Sequence, residues 1–252
     1  YIVPYDPYAQ DLNNALQAPS GSHLLGTDRY GRDLLTRIIV GAQTTIFSAL
    51  ALVAGITIIG TIVGIICGYV GGWIDSLLMR ISDIFLAFPE MVFAIAIAGV
   101  LNGGIWSAAI AVGLIAWPRY ARVARSQVLS MKNHQYMNAA NIMGPIIVTA
   151  ALDIGAMIMN LAGLSYLGLG VVPPTPEWGS MMSEGRSMLQ TSPWIVLAPG
   201  LAIFITVVIF NLLGDTVRDI LDPKQKRRSI TSNMKKVKNI VSGDSKREKS
   251  LV

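Results

Sequence analysis

Apolar residues in this chain run on for long stretches that carry no charge. No Asp, Glu, Lys or Arg lies between Arg37 and Asp75, between Glu90 and Arg119, or between Arg186 and Asp215. A helix crossing a bilayer needs about 20 apolar residues, so each stretch is long enough for at least one crossing. The 37 residues from 38 to 74 predict a single long, tilted helix over about 41–69. Within it Gly60, Gly64 and Gly68 recur at every fourth position. That spacing lets a second helix approach closely where lipid supplies no hydrophobic drive for association.

The polar breaks between these runs place the remaining elements. Gly71-Gly72-Trp73 and the charged stretch Asp75 to Asp83 predict a turn at the membrane surface, with Trp73 at headgroup level. A second span over about 84–101 is bent by Pro89-Glu90, because proline frees a backbone carbonyl. Asn102-Gly103-Gly104 is a short turn ahead of a third span over about 105–125, which ends in Arg119, Arg122 and Arg125. A fourth span covers about 142–169, Pro173 to Gly179 form a rigid loop, and a fifth span covers about 194–213. The expected fold is therefore an all-α, polytopic integral membrane helical bundle, with an extracytoplasmic segment 1–40, a transmembrane domain 41–222 and a tail 223–252.

Composition agrees with a lipid solvent, since 52% of the residues are hydrophobic and 14% charged, where a soluble domain carries about a quarter. It also removes several function classes. Cys67 is the sole cysteine, so an intrachain disulfide or a cysteine-based zinc site is out of reach. His23 and His134 lie far apart, outside any HExxH context, and no GxxxxGK[ST] phosphate loop occurs. No catalytic constellation of base, nucleophile or metal ligands is visible, and no metal ligand set is expected. Met157, Met159, Met181, Met182 and Met188 suit irregular packing better than soft-metal binding.

Charge gives the orientation. Residues 224–252 hold ten Lys/Arg and two acids, a basic tail directly after the last apolar run. Lys and Arg accumulate in cytoplasmic segments beside membrane helices, so the C-terminus is expected inside. Arg80, the three arginines at 119–125 and Lys132 then fall inside, while Arg29, Arg32, Arg37 and Arg186 fall outside. Five spans put residue 1 outside, yet nothing at the N-terminus reads as a signal peptide. Parity thus predicts a further helix ahead of Tyr1.

Asp153 is the candidate pathway residue, because a carboxylate at mid-helix costs about 2.5–3.5 kcal/mol on insertion scales and so faces a cavity or a partner. Met157 and Asn160 share its helix face at i+4 and i+7. A structural hydrogen bond inside a subunit interface would explain Asp153 equally well. Outside the membrane, Asp28, Arg32 and Asp33 are candidates for docking a partner; alternatively they cap the first helix and pair with one another.

Several motifs in order are specific. Gly26-Thr27-Asp28-Arg29-Tyr30-Gly31-Arg32-Asp33, Gly71-Gly72-Trp73-Ile74-Asp75, Ala87-Phe88-Pro89, Leu164-Ser165-Tyr166-Leu167-Gly168-Leu169-Gly170, the Pro-Pro-Thr-Pro-Glu-Trp-Gly loop, Asn211-Leu212-Leu213-Gly214-Asp215 and Asp219-Ile220-Leu221-Asp222-Pro223 resemble the inner-membrane permeases of binding-protein-dependent ABC importers. The likeness is closest to the C-type permease of the dipeptide, oligopeptide and nickel branch, over about residues 23–223. It implies a transport subunit rather than an enzyme, paired with a second permease, two ATP-binding subunits and an extracytoplasmic solute-binding protein. ATP and Mg would be used by the ATP-binding subunits, and no cofactor by this chain. It also implies six helices, which agrees with the parity argument, and a cargo of peptides or alternatively of nickel or a metal-chelator complex. An ATP-independent channel or secondary transporter should show internal repeats, and none is evident.

One departure concerns the family's EAA motif, whose short cytoplasmic helix couples permease to ATPase. Tyr136, Asn138, Ala139 and Ala140 match its start, with Asn138 in place of Glu, whereas Asn141-Ile142-Met143-Gly144-Pro145 resembles the residues beyond its end. Either the chain has lost the middle of the motif and is uncoupled, or Ala140–Asn141 joins two pieces across a missing stretch.

Overall fold

The structure, a computed structural model, describes residues 3–131 and 139–221, with 139–141 described by backbone alone. Its first long helix begins where a carboxylate can cap it. Asp33 accepts the Thr36 N–H at 2.8 Å, and α1 runs Leu34–Val70, starting ahead of the expected Gly41. Arg37 does not delay that start because its guanidinium turns back to outer carboxylates and to the Pro7 carbonyl. Gly71, at φ 69°, closes α1 in a left-handed conformation that glycine adopts without steric penalty.

The stretch expected as a surface turn over Asp75–Asp83 is instead part of a helix, α2 (Gly72–Ala87). Its acids are neutralised by arginines of a neighbouring helix, so they need not sit in a loop. Phe88 is extended, as a residue before proline tends to be, and α3 (Glu90–Val100) leaves at 94° to α2. After the Asn102–Gly104 turn come α4 (Ile105–Met131) and then α5 (Ala139–Tyr166). The expected 173–179 loop ends in a short helix, α6 (Trp178–Gly185), and α7 (Trp194–Leu221) outruns the predicted span by two turns. Among the described residues there is no strand, only an isolated bridge between Thr27 and Asp33.

Contacts fix the directions. Gly60, Gly64 and Gly68 lie against Tyr120, Ala124 and Val128 in turn, so α1 and α4 run parallel. A Cβ on Gly60 would come within 2.5 Å of the Tyr120 Cβ, and one on Gly68 within 2.7 Å of the Val128 Cβ. Gly155 meets Asn211 while Gly214 meets the Ala151 backbone, which sets α5 and α7 antiparallel. Ala49, Ile56, Ala111, Ile115, Met157, Ile158 and Leu164 make a core of mainly small and branched side chains. The outer surface is as apolar as that core: Ile58 and Ile59 on α1 and Leu201 and Phe204 on α7 are more than half exposed, as a lipid solvent requires.

Three helices are long and apolar enough to cross a bilayer, α1, α5 and α7, and the bent pair α2–α3 makes a fourth if it counts as one span. Five crossings are therefore more than length and apolarity alone support. α4 has the length, with 27 residues, but carries Pro118, Arg119, Arg122 and Arg125 in its lower half.

Candidate functional site

Arg119, Arg122 and Arg125 of α4 are paired in reverse order with acids of α3 and α2. Arg125 Nε and Nη2 donate to Asp75 Oδ1 and Oδ2 at 2.5 and 2.6 Å, a bidentate contact. Arg122 pairs with Asp83, and Arg119 Nη2 lies 3.8 Å from Glu90 Oε2. Steps of three residues keep the arginines close to one α4 face, so α2 and α3 lie beside that face and answer each charge in reverse sequence.

Glu90 and Arg119 belong to a larger group. Arg119 Nη1 donates to Asp153 Oδ1 at 3.0 Å, and the Asn160 amide donates to Glu90 Oε1 at 3.0 Å. Three helices thus supply four polar side chains. Glu90 follows Pro89 as the first residue of α3, where the helix dipole favours an anion. Counting rises of about 1.5 Å per residue from Tyr166, Val100 and Ile105, Asn160 lies about 9 Å below the outer helix ends, Glu90 about 15 Å, and Asp153 and Arg119 about 20 Å. The group therefore lies about 9–20 Å from the outer helix ends, less than a hydrocarbon thickness of about 30 Å.

The α4 face that bears Arg119 is closed above and open below. Ala108, Ala111, Val112 and Ile115 are buried, whereas the Arg119 side chain, one turn further on, is 48% exposed and Glu90 38% exposed. The opposite α4 face, with Trp106, Ile110, Gly113, Leu114 and Trp117, borders an apolar groove of about 800 Å³ against α1 and α2. The charged opening and this apolar groove therefore face different ways. Phe85, Phe88, Phe93 and Trp117 pack edge-on or stacked around the Pro89 bend and hold its angle.

Of the three pathway candidates, the structure joins Asp153 and Asn160 through Arg119 and Glu90. Met157 is buried in the apolar core at 1% exposure and lines no opening. Sequence reading passed over Glu90 and Arg119; the signal available was that they bound one charge-free run. Asp28, Arg32 and Asp33 are each bonded within the chain. Arg32 Nε donates to Asp28 Oδ2 at 2.6 Å and Nη2 to Glu184 Oε2 at 2.8 Å, Asp33 caps α1 and pairs with His23 Nδ1 at 2.9 Å, and all three are at most 4% exposed. As surfaces for direct docking they are covered; they tie the outer segment to α1 and α6.

Glu177 is a second buried carboxylate that sequence reading left in a loop. It accepts from Gly179 N and Ser180 N at 2.9 and 2.8 Å and so caps α6, while the Thr45 hydroxyl donates to it from α1. Burial pushes its carboxyl above the ordinary range, and the backbone donors counter only part of that. Tyr136 and Asn138 lie outside the described residues, as do the side chains of Ala139 and Ala140 and the whole basic tail from 222 on.

The family described as binding-protein-dependent transport system inner membrane component matches this chain over residues 60–144 and 141–227. The chain is 42% identical over 243 aligned residues to the dipeptide transport system permease protein DppC of Alkalihalophilus pseudofirmus, covering 89% of this chain and 80% of that one. It is 38% identical over 238 residues to the nickel transport system permease protein NikC of Escherichia coli, covering 88% and 86%. It is 41% identical over 244 residues to the glutathione transport system permease protein GsiD of Escherichia coli, covering 90% and 80%. Among solved structures, an inward-facing form of the methionine ABC transporter MetNI matches with a TM-score of 0.51 at 12% identity, covering 73% of this chain and 98% of that one, a likeness of fold. The DppC alignment has 243 positions but covers only 89% of a 252-residue chain, so gaps fall on this side; the two family matches meet at 141–144, beside the Ala140–Asn141 junction.

Proposed function

The chain belongs to the inner-membrane component family of binding-protein-dependent transport systems, and from that membership we propose that it is one of two permease subunits in an ATP-driven importer of di- or oligopeptides. A multi-pass membrane permease of an ABC importer follows from the family itself. The peptide cargo rests on the 42% identity to a dipeptide permease across 89% of the chain.

In this reading the chain hydrolyses nothing. Two partner ATPases bind ATP and Mg, and their closure moves the 132–141 segment, with Tyr136, Asn138, Ala139 and Ala140 at the contact. Nucleotide can drive that change only by favouring one conformation over another, so a working transporter needs a complete coupling motif, of which Tyr136, Asn138, Ala139 and Ala140 are the start. The C-terminus and tail lie in the cytoplasm and residues 3–31 outside. There a solute-binding protein meets the exposed Tyr5, Tyr8 and Leu24 on loops that the Asp28–Arg32–Glu184 cluster holds in place.

A nickel or metal-chelator cargo is the second reading, favoured by the 38% identity to a nickel permease. The test is copurification of the full-length protein with a second permease and two ATPases, then ATPase activity with and without loaded binding protein. Stimulation by peptide-loaded binding protein supports the proposal. Stimulation by the nickel-loaded form alone replaces the cargo, and failure to recruit any ATPase removes the importer reading for this chain.

A further inference from the structure

We propose that Glu90 and Arg119 form a contact point for cargo within the membrane, where a zwitterionic peptide exchanges partners with the pair: its ammonium takes Glu90 Oε2 and its terminal carboxylate takes the Arg119 guanidinium. The inference rests on the peptide reading above and adds to it where, and by which groups, this chain touches cargo.

The geometry separates two residues that bind from two that position. Asp153 holds Arg119 through Nη1 at 3.0 Å, and Asn160 holds Glu90 through Oε1 at 3.0 Å, both from α5. The contact between Glu90 Oε2 and Arg119 Nη2, at 3.8 Å, is the loose one, beyond hydrogen-bond range. Each partner thus keeps one firm attachment and offers one unspent polar edge, on side chains 38% and 48% exposed. The opening lies where the buried upper face of α4 gives way to its charged lower face, and away from the apolar groove.

Energetics select the cargo. An unpaired charge at this depth is costly, so a passing solute is favoured only if it leaves neither Glu90 nor Arg119 alone. A zwitterion meets that condition, because the ion pair that opens is replaced by two that form. A simple anion would strand Glu90, whose other partner is the neutral Asn160 amide, whereas a simple cation would leave Arg119 to Asp153 with its Nη2 edge unmatched. Asp153, buried with the Tyr120 hydroxyl beside it, adds negative potential that holds Arg119 in place.

The experiment uses the full-length chain assembled with its partner permease, ATPases and binding protein in proteoliposomes, the partners' cysteines removed. Cys67 is buried and stays silent. Glu90→Cys, Arg119→Cys and Asn160→Cys are reacted in the nucleotide-free state with a water-soluble trimethylammonium methanethiosulfonate, the first two for access and the third, which keeps both charges, for protection. Ile110→Cys, on the apolar side, is the lipid control. Expected are reaction at 90, 119 and 160 but not at 110, and at 160 slowing of about fivefold when alanyl-alanine is present at about four times its Kd. Alanyl-alanine amide, which lacks the carboxylate, should protect position 160 less at the same concentration. If the wild-type transporter imports alanyl-alanine but 90 and 119 do not react, or 160 reacts without protection, the contact point is wrong and the peptide reading stands. If the assembled wild type does not import alanyl-alanine, both are overturned.

Discussion

Glu90 and Arg119 bound the same charge-free run of sequence and meet in space, Glu90 Oε2 lying 3.8 Å from Arg119 Nη2. The turn at Asn102–Gly104, with positive φ at all three residues, doubles the run back so that its two ends come together inside the membrane. Below them Asp83–Arg122 and Asp75–Arg125 continue the pairing. A half-exposed charge pair facing lipid would be costly, so this edge of α3 and α4 is unsuited to contact with acyl chains.

Asp153→Ala should destabilise the purified complex by about 1–3 kcal/mol, below the range for a fully buried pair because Arg119 keeps access to water. The double variant Asp153→Ala, Arg119→Met should recover at least half of that, since no charge is then left alone. Thermal melting in detergent followed by tryptophan fluorescence reads both. Equal loss in the single and double variants would mean that charge pairing is not what Asp153 contributes.

The Asp75–Arg125 contact fastens α2 to α4. Asp75→Asn should cost about 1–2 kcal/mol, as for a lost charge-assisted hydrogen bond at a partly exposed site. Exchanging the charges, Asp75→Arg with Arg125→Asp, should restore part of it. The same melting series decides.

Gly64 and Gly55 sit on one helix with opposite surroundings. A Cβ on Gly64 would lie 2.7 Å from the Ala124 Cβ, while one on Gly55 meets nothing within 4 Å. Gly64→Ala should therefore cost about 1–3 kcal/mol through overpacking of α1 on α4, whereas Gly55→Ala should be neutral or gain up to about 1 kcal/mol from helix propensity. Folded yield after membrane extraction, with melting, compares the two.

Arg32→Ala leaves Asp28 and Glu184 only the longer Arg37 contacts, at 3.7 and 3.9 Å, and removes the direct link from the outer segment to α6. The loss should fall below the roughly 3–5 kcal/mol of a buried charge left with no partner. Limited proteolysis from the outer side should then cut within 3–31 in the variant and not in the wild type.

Glu177 carries a pH prediction. Its folded-state pKa is raised above the ordinary 4.5, so the folded state favours the protonated carboxyl. That contribution is complete below 4.5 and is lost as pH rises through the raised value. Melting temperature of the wild type should fall with rising pH in this window relative to Glu177→Gln, whose side chain does not titrate. Parallel pH profiles would show that Glu177 ionises in the fold at no extra cost.

The sequence by itself determined the solvent and the helices. Charge-free runs longer than a bilayer is thick, Pro89 as a bend, the turn chemistry of Asn102-Gly103-Gly104 and the every-fourth glycines of α1 are local properties, read from neighbours along the chain. The family resemblance was equally legible, carried by motifs such as Gly26–Asp33 and the Pro-Pro-Thr-Pro-Glu-Trp-Gly loop. Only the tertiary structure decided which charges meet. Asp75 and Asp83 read as a surface turn, and Arg119, Arg122 and Arg125 as a cytoplasmic exit, because each is costly in lipid when considered alone. Folded, they neutralise one another, and helix continues through both stretches. Likewise Asp28, Arg32 and Asp33 look exposed in a polar segment and are buried once Glu184 arrives from far along the chain. The physical reason is common to all of these: helix formation depends on near neighbours, whereas the cost of a charge depends on its partner, and the partner is supplied by the fold.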